Sequence, residues 1–239
     1  MTQEHGHSPD EVAERIGKPA SQSYLRDTVY GAIDGAVTTF AIVAGVAGAG
    51  LSPTIIIALG MANVLADGFS MAASNYSGTK AELDNIRRIR EIEERHIREV
   101  PEGEKLELRE ILAAKGLSGN LLDEATEAIA ADKANWIKMM LVDEYGIAPV
   151  QPHPLRAAIA TFLAFLAAGL IPLLPFLVGT GSELAFNASI AFTGLAFFTI
   201  GALKSRWSLE PWWRSGLETL IIGGIAASIA YFVGTLFRV

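Results

Sequence analysis

The sequence predicts an all-α membrane protein: five transmembrane helices, with a cytoplasmic helical domain inserted between the second and the third. Three observations carry this reading. Five apolar stretches are each long enough to cross about 30 Å of hydrocarbon at roughly 1.5 Å per residue. Charged residues concentrate before residue 28 and between about residues 80 and 156. An aspartate, Asp34, sits inside the first apolar stretch. A carboxylate there costs a few kcal/mol at least, so it is expected to face a partner helix or a water-filled path.

The elements follow in chain order. Residues 1–27 form a polar N-terminal segment without the apolar core of a cleavable signal peptide. Residues 28–76 hold the first two spans, roughly Thr28–Gly50 and Thr54–Tyr76, joined by a Ser-Pro turn. Residues 77–153 form the insertion. Its first part, Ser77–Val100, reads as a charged helix continuing from the second span, until Pro101-Glu102-Gly103 breaks it. Glu104–Lys115 forms the next helix, ended by Gly116, and Asp123–Tyr145 a third helical stretch, ended by Gly146. Leu106, Ile111, Leu112, Leu117, Leu121, Leu122, Ile129 and Trp136 are expected to supply a modest core. Residues 154–239 hold the last three spans, roughly Leu155–Val178, Leu184–Leu203 and Leu217–Leu236.

Lys and Arg placement sets the orientation. Arg15, Lys18 and Arg26 precede the first span; Arg87, Arg88, Arg90, Arg95 and Arg98 lie in the insertion; Lys204, Arg206 and Arg214 separate spans four and five. The loops at Ser52-Pro53 and Gly179–Glu183 carry no basic residue. The N-terminus and the insertion are therefore expected in the cytoplasm and the C-terminus outside. With 51% hydrophobic residues and a net charge of -7, the chain is a poor partner for nucleic acid and a good one for a lipid bilayer and for cations. It has no cysteine, which excludes disulfides, thiolate metal sites and cysteine nucleophiles.

Two constellations bear chemistry. The intramembrane set is Asp34 with Asn63, Asp67 and Met71, the last three spaced one turn apart on one helical face. Carboxylates suit hard or borderline divalent cations, and a thioether shifts preference toward softer transition metals such as Fe²⁺. The acids can also exchange protons against metal. The second set lies in the insertion: Glu93 with His96, Glu104 with Glu107, and Met140 with Glu144, each pair on one helix face. Three such faces could converge on a metal cluster, although exposed helices often carry glutamates at these spacings. Glu93-x-x-His96 has no second copy, so a carboxylate di-iron oxidase is disfavoured. His5-Gly-His7 in the tail is read as noise. Gly31 and Gly35 flank Asp34 at a close-packing spacing, and Gly45 and Gly48 follow; helix one could pack against another helix one in a dimer. Gly223-Gly224 could pack similarly.

The runs DGAVTTFAIVAGVAGAG (34–50) and ANVLADGFSMAASNYSGTKAE (62–82), with LIPLLPF (170–176), GALKSRW (201–207) and LETLIIGGIAASIAY (217–231), resemble the vacuolar iron transporter family. The resemblance covers nearly all of the chain after about residue 24. It implies a homodimer of five-helix protomers, each with a cytoplasmic metal-binding domain between helices two and three. It also implies export of Fe²⁺, in some members Mn²⁺, from the cytosol in exchange for protons. Asp34 and Met71 match the family's translocating Asp and Met. Glu93, Glu104, Glu107, Met140 and Glu144 match ligands of its cytoplasmic metal site. Asn63 stands where plant members carry a Glu, with Asp67 one turn later; His96 stands where they carry a Glu ligand; Leu141 replaces the second Met of a pair.

The expected function is proton-coupled antiport of Fe²⁺ out of the cytoplasm across a bacterial inner membrane, with no prosthetic group and no enzymatic activity. Mn²⁺, Co²⁺ and Zn²⁺ are other candidate cargoes. The alternatives are a manganese exporter and a membrane-anchored iron sensor or buffer. The intramembrane acids speak against the anchor, which needs none.

Overall fold

The computed structural model describes residues 6–17, 22–148, 153–179 and 182–238. His5 and Lys18 fall outside them. Among the described residues every regular element is helical. In order they are α1 (Pro9–Gly17), α2 (Leu25–Gly48), α3 (Pro53–Glu99), α4 (Pro101–Ala114), α5 (Gly119–Ala130), α6 (Lys133–Asp143), α7 (Pro154–Leu170), α8 (Leu174–Leu177), α9 (Ser182–Lys204) and α10 (Trp212–Leu236). A turn of 3₁₀ helix, Ile171–Leu173, joins α7 to α8. The chain divides into two compact units: Ser23–Thr79 with His153–Val239, and Lys80–Pro152 with Met1–Gln22.

The first unit contains the spans. Five helical segments are long and apolar enough to cross a membrane: Leu25–Gly48, the start of Pro53–Glu99, Pro154–Leu177, Glu183–Trp207 and Trp212–Leu236. Only 17% of the apolar window of α10 is buried within the chain, and Ile221, Ile225 and Phe232 point outward. Such an apolar surface is unfavourable in water and favourable in lipid. The protein is an integral membrane protein. Trp207, Leu209, Trp212 and Trp213 are all exposed in the link between α9 and α10, a composition typical of a membrane–water interface.

Helix α2 lies at the centre of this unit, packed against α7, α9 and α10. Its buried face comprises Gly31, Gly35, Ala36, Thr39, Phe40 and Val43, among others. Side chains added at Gly31 and Gly35 would run into the backbone of Thr161 and Phe165 on α7. A side chain at Gly48 would meet the Tyr231 carbonyl of α10. These glycines thus join helices within the chain, which corrects the expectation that Gly31 and Gly35 seat a second copy of helix one. Gly223 packs on the Phe197 ring, but Gly224 faces open space. The third span is not one helix. Pro172 and Pro175 each lack an amide donor, so α7 gives way to the 3₁₀ turn and then α8. The Ser189 hydroxyl of α9 donates to the Pro172 carbonyl (2.7 Å) at this break.

The second unit is built on the last part of α3 with α4, α5 and α6. The second span and the charged helix after it form one continuous α3, as expected. Pro101 does not merely interrupt: it sits in the first turn of α4, where a missing amide hydrogen is harmless. Gly116 (φ 97°) and Gly146 (φ 66°) end helices in the left-handed region, as their sequence context predicts. The stretch expected to be a single helix over Asp123–Tyr145 is two. Asp132 caps α6 by accepting hydrogen bonds from the Ala134 and Asn135 amides (3.0 and 3.3 Å), and the chain turns there.

The core of this unit holds Ile97, Leu108, Leu112, Leu122, Trp136, Ile137, Met140 and Leu141. Ile111, Leu117 and Ile129 pack on its edge. Leu106 and Leu121 are exposed instead. On α4 the buried face is Glu104, Leu108 and Leu112, one turn apart, which turns Leu106 outward. On α5 the inward position belongs to Leu122, next to Leu121.

Candidate cation path and acidic cluster

Asp34 on α2 and Asp67 on α3 are both half-buried. Asn63, one turn before Asp67, donates to the Thr38 and Thr39 hydroxyls of α2 (3.1 and 3.3 Å). Thr38 in turn donates to the Asp34 carbonyl (2.9 Å). The amide therefore pins α3 to α2 one turn from the two acids. Asp34 also lines a groove of about 650 Å³ with Tyr30, Val37, Lys204, Trp207 and Ile222. It is neither sealed in a core nor free in bulk.

Met71 is placed differently. Its side chain lines a neighbouring cavity of about 270 Å³ with Asp27, Asn75 and Thr161, which shares Arg26 and Tyr30 with the Asp34 groove. The Asn75 amide donates to Asp27 Oδ1 (2.8 Å) and to the Thr161 hydroxyl (2.7 Å). Asp27, Asn75 and Thr161 have no counterpart in the sequence-derived set. Asp27 and Asn75 carried a usable signal, since Asp27 lies two turns before Asp34 and Asn75 one turn after Met71 on their helices.

In the second unit, Glu93 and Glu104 are buried, with 1% and 4% exposure. Burial of two carboxylates in a small helical unit needs a reason. Tyr145 donates its hydroxyl to Glu93 Oε1 (2.9 Å), and His96 Nδ1 stands 3.2 Å from Glu104 Oε1. The other oxygen of each acid, Glu93 Oε2 and Glu104 Oε2, is buried with no hydrogen-bond partner. Burial, then the charges of Glu93 and Glu107, push the Glu104 carboxyl up to about 7; His96 opposes them and Glu144 adds to them. Burial, with Glu93 and Glu107, raises the Glu144 carboxyl as well. The Tyr145 hydroxyl is raised by burial and by its bond to Glu93. Glu93, His96, Glu104, Glu107 and Glu144 thus share one electrostatic neighbourhood, and Met140 is fully buried in the core beneath. Among the described residues, however, no three His, Asp or Glu side chains are drawn close enough to hold a metal as they stand. A cation beside either orphaned oxygen would satisfy it and offset the repulsion that Glu104 feels from Glu93 and Glu107.

The VIT family profile matches residues 25–235. The chain belongs to the VIT family. It is 33% identical over 208 residues to vacuolar iron transporter 1 of Arabidopsis thaliana, which covers 87% of this chain and 83% of the relative. It is 32% identical over 208 residues to vacuolar iron transporter 1 of Tulipa gesneriana, covering 87% and 84%. The vacuolar iron transporter of Toxoplasma gondii is 31% identical over 228 residues, covering 91% and 76%. This VIT-family chain is thus a membrane transporter relative, not an enzyme. Both acidic constellations fall within the matched region.

Proposed function

We propose that this chain carries Fe²⁺ out of the cytoplasm in exchange for protons. The observation that carries the reading is the pair Asp34 and Asp67: two half-buried carboxylates on membrane-spanning helices that Asn63 ties together, in a chain of the VIT family. Adjacent acids in a low-dielectric setting favour either a shared proton or a divalent cation between them. Exchange of one for the other is the elementary step of antiport. Asn63 holds the two helices in register while this happens. Relatives named as iron transporters make Fe²⁺ the first candidate cargo, and Mn²⁺ is the second by ligand chemistry.

The acidic cluster of the inserted unit captures the metal in this reading. Glu93, Glu104, Glu107 and Glu144 supply oxygens, His96 a ring nitrogen and Met140 a thioether. The unit faces the cytoplasm, and capture there raises the local metal concentration. Assembly as a homodimer belongs to the same reading. Its support is the open groove that exposes Asp34 along α2.

The test is flux into proteoliposomes with Fe²⁺, Mn²⁺, Co²⁺ and Zn²⁺, each with and without a pH gradient. We expect Fe²⁺ flux that depends on the gradient and is lost in Asp34→Ala. Undiminished flux in that variant, or flux indifferent to the gradient, overturns the mechanism.

A further inference from the structure

Each buried acid of the inserted unit has one oxygen held and one free. The Tyr145 hydroxyl donates to Glu93 Oε1 (2.9 Å), and His96 Nδ1 stands 3.2 Å from Glu104 Oε1. Glu93 Oε2 and Glu104 Oε2 are buried with no partner among the described residues. Helix spacing brings His96 to notice in the sequence. Tyr145 carries no such signal, because it lies 52 residues from Glu93 and just beyond the end of α6.

The backbone of Tyr145 is fixed from both sides. The last turn of α6 runs into it, with the Glu144 and Tyr145 amides both donating to the Met140 carbonyl (2.9 and 3.4 Å). After it, Gly146 takes a left-handed φ of 66°, and the Ile147 amide returns to the Leu141 carbonyl (2.9 Å). Met140 and Leu141 belong to the core, and Ile147 packs on that same core. The phenol therefore stands on a packed base. It is itself 40% exposed, yet its hydroxyl reaches a carboxylate that is 1% exposed.

A neutral phenol can only donate to a carboxylate. Its bond thus ties down one oxygen of Glu93 and leaves the other for an incoming ion. This bears on which ion fits. Ca²⁺ takes about six to eight oxygens and readily accepts both oxygens of one carboxylate. Smaller divalent ions such as Mn²⁺ suit an octahedral set in which each carboxylate gives one oxygen. We propose that Tyr145 is a positioning residue that sets ion preference: by holding Glu93 to a single free oxygen, it makes the acidic cluster favour small transition cations over Ca²⁺. The inference rests on the metal-capture reading above and deepens it.

A competing role for Tyr145 is purely structural, as a clamp of α6 onto α3. A clamp serves every ion alike, whereas an orienting bond does not. Calorimetric titration of the full chain in detergent, with Mn²⁺ and with Ca²⁺ separately, tells them apart. Both ions bind through oxygen, so their ratio reports coordination rather than donor softness. The component of binding lost in Glu104→Gln is the one that belongs to the cluster. In Tyr145→Phe that component should weaken about tenfold or more for Mn²⁺, while Ca²⁺ binding tightens or holds within about twofold. Tyr145→Leu, which lacks the ring as well as the hydroxyl, should lose the same preference. In a Glu93→Gln background Tyr145→Phe should shift the ratio no further, because no carboxylate remains to be oriented. Equal weakening of both ions, an unchanged ratio, or a shift that persists in the Glu93→Gln background overturns the inference and leaves the capture reading standing. Mn²⁺ binding that neither Glu104→Gln nor Glu93→Gln weakens overturns the capture reading, and this inference with it.

Discussion

Glu104 shows how much a single residue reveals, and how much of it the sequence conveys. Its spacing to Glu107 marks a shared helix face, but it does not say which member is buried. Leu108 and Leu112 settle that, because they continue the face of Glu104 and leave Glu107 outside. A buried carboxyl held near 7 destabilises the folded, metal-free protein whenever it is ionised. Its folded pKa lies above the ordinary value of 4.5. The stability associated with its proton is therefore fully present below about 4.5 and is lost as pH rises through about 7. Glu104→Gln should remove that dependence. The variant should melt higher than the unaltered protein at pH 8 without metal, and about equally at pH 5. Melting curves in detergent with a chelator present will check this. A lower melting point at pH 8 would falsify the account of a costly buried charge. The same variant should weaken metal binding by calorimetry, since a neutral amide is a poor ligand.

At the scale of elements, the five spans were legible because hydrophobicity is additive along a helix and needs no partner to be seen. What a small residue packs against is not additive. Gly31 and Gly35 advertise close approach, but the approaching backbone, Thr161 and Phe165 of α7, lies far along the chain. The sequence alone suggested another helix one instead. The Asp27–Asn75–Thr161 links were hidden for the same reason, as Thr161 sits inside an apolar run. The break between α5 and α6 was hidden differently: Asp132 is tolerable inside a polar helix and becomes a cap only if the chain turns there.

These packing assignments are testable by contrast. Gly35→Leu should force α2 off α7, costing about 1–3 kcal/mol or more, and should reduce folded yield and melting temperature. Gly224→Leu, with no atom within 4 Å of an added Cβ, should leave both near their original values, within about 0.5 kcal/mol. Fluorescence-detected size exclusion and melting curves of the two variants provide the comparison. Equal damage at both positions would mean that the glycine at 224 is covered by something outside the protomer. Asp132→Ala should cost about 0.5–2 kcal/mol through loss of the α6 cap.

At the scale of the whole molecule, the net charge of -7 acquires a location and a consequence. Part of it is the set of acids around Glu93 and Glu104, whose two buried oxygens lack partners. Metal and proton compete for this cluster. A bound divalent ion requires the carboxylates ionised, whereas the metal-free cluster holds Glu104 half-protonated near pH 7. Metal should therefore stabilise the protein by mass action, and by much more at pH 8 than at pH 5.5. At the higher pH it also relieves the repulsion among Glu93, Glu104, Glu107 and Glu144. At the lower pH it must first displace a proton, which lowers apparent affinity by up to about tenfold for each pH unit below 7. The measurement is the melting temperature in detergent with and without Mn²⁺, an air-stable substitute for Fe²⁺, across that range. It should be repeated in a Glu104→Gln, Glu107→Gln variant, where the metal-dependent rise should largely vanish. A rise of equal size at both pH values, or one that survives in the variant, would place the stabilising metal away from this cluster. The intramembrane acids would then be the next place to look, through the same titration in Asp34→Asn.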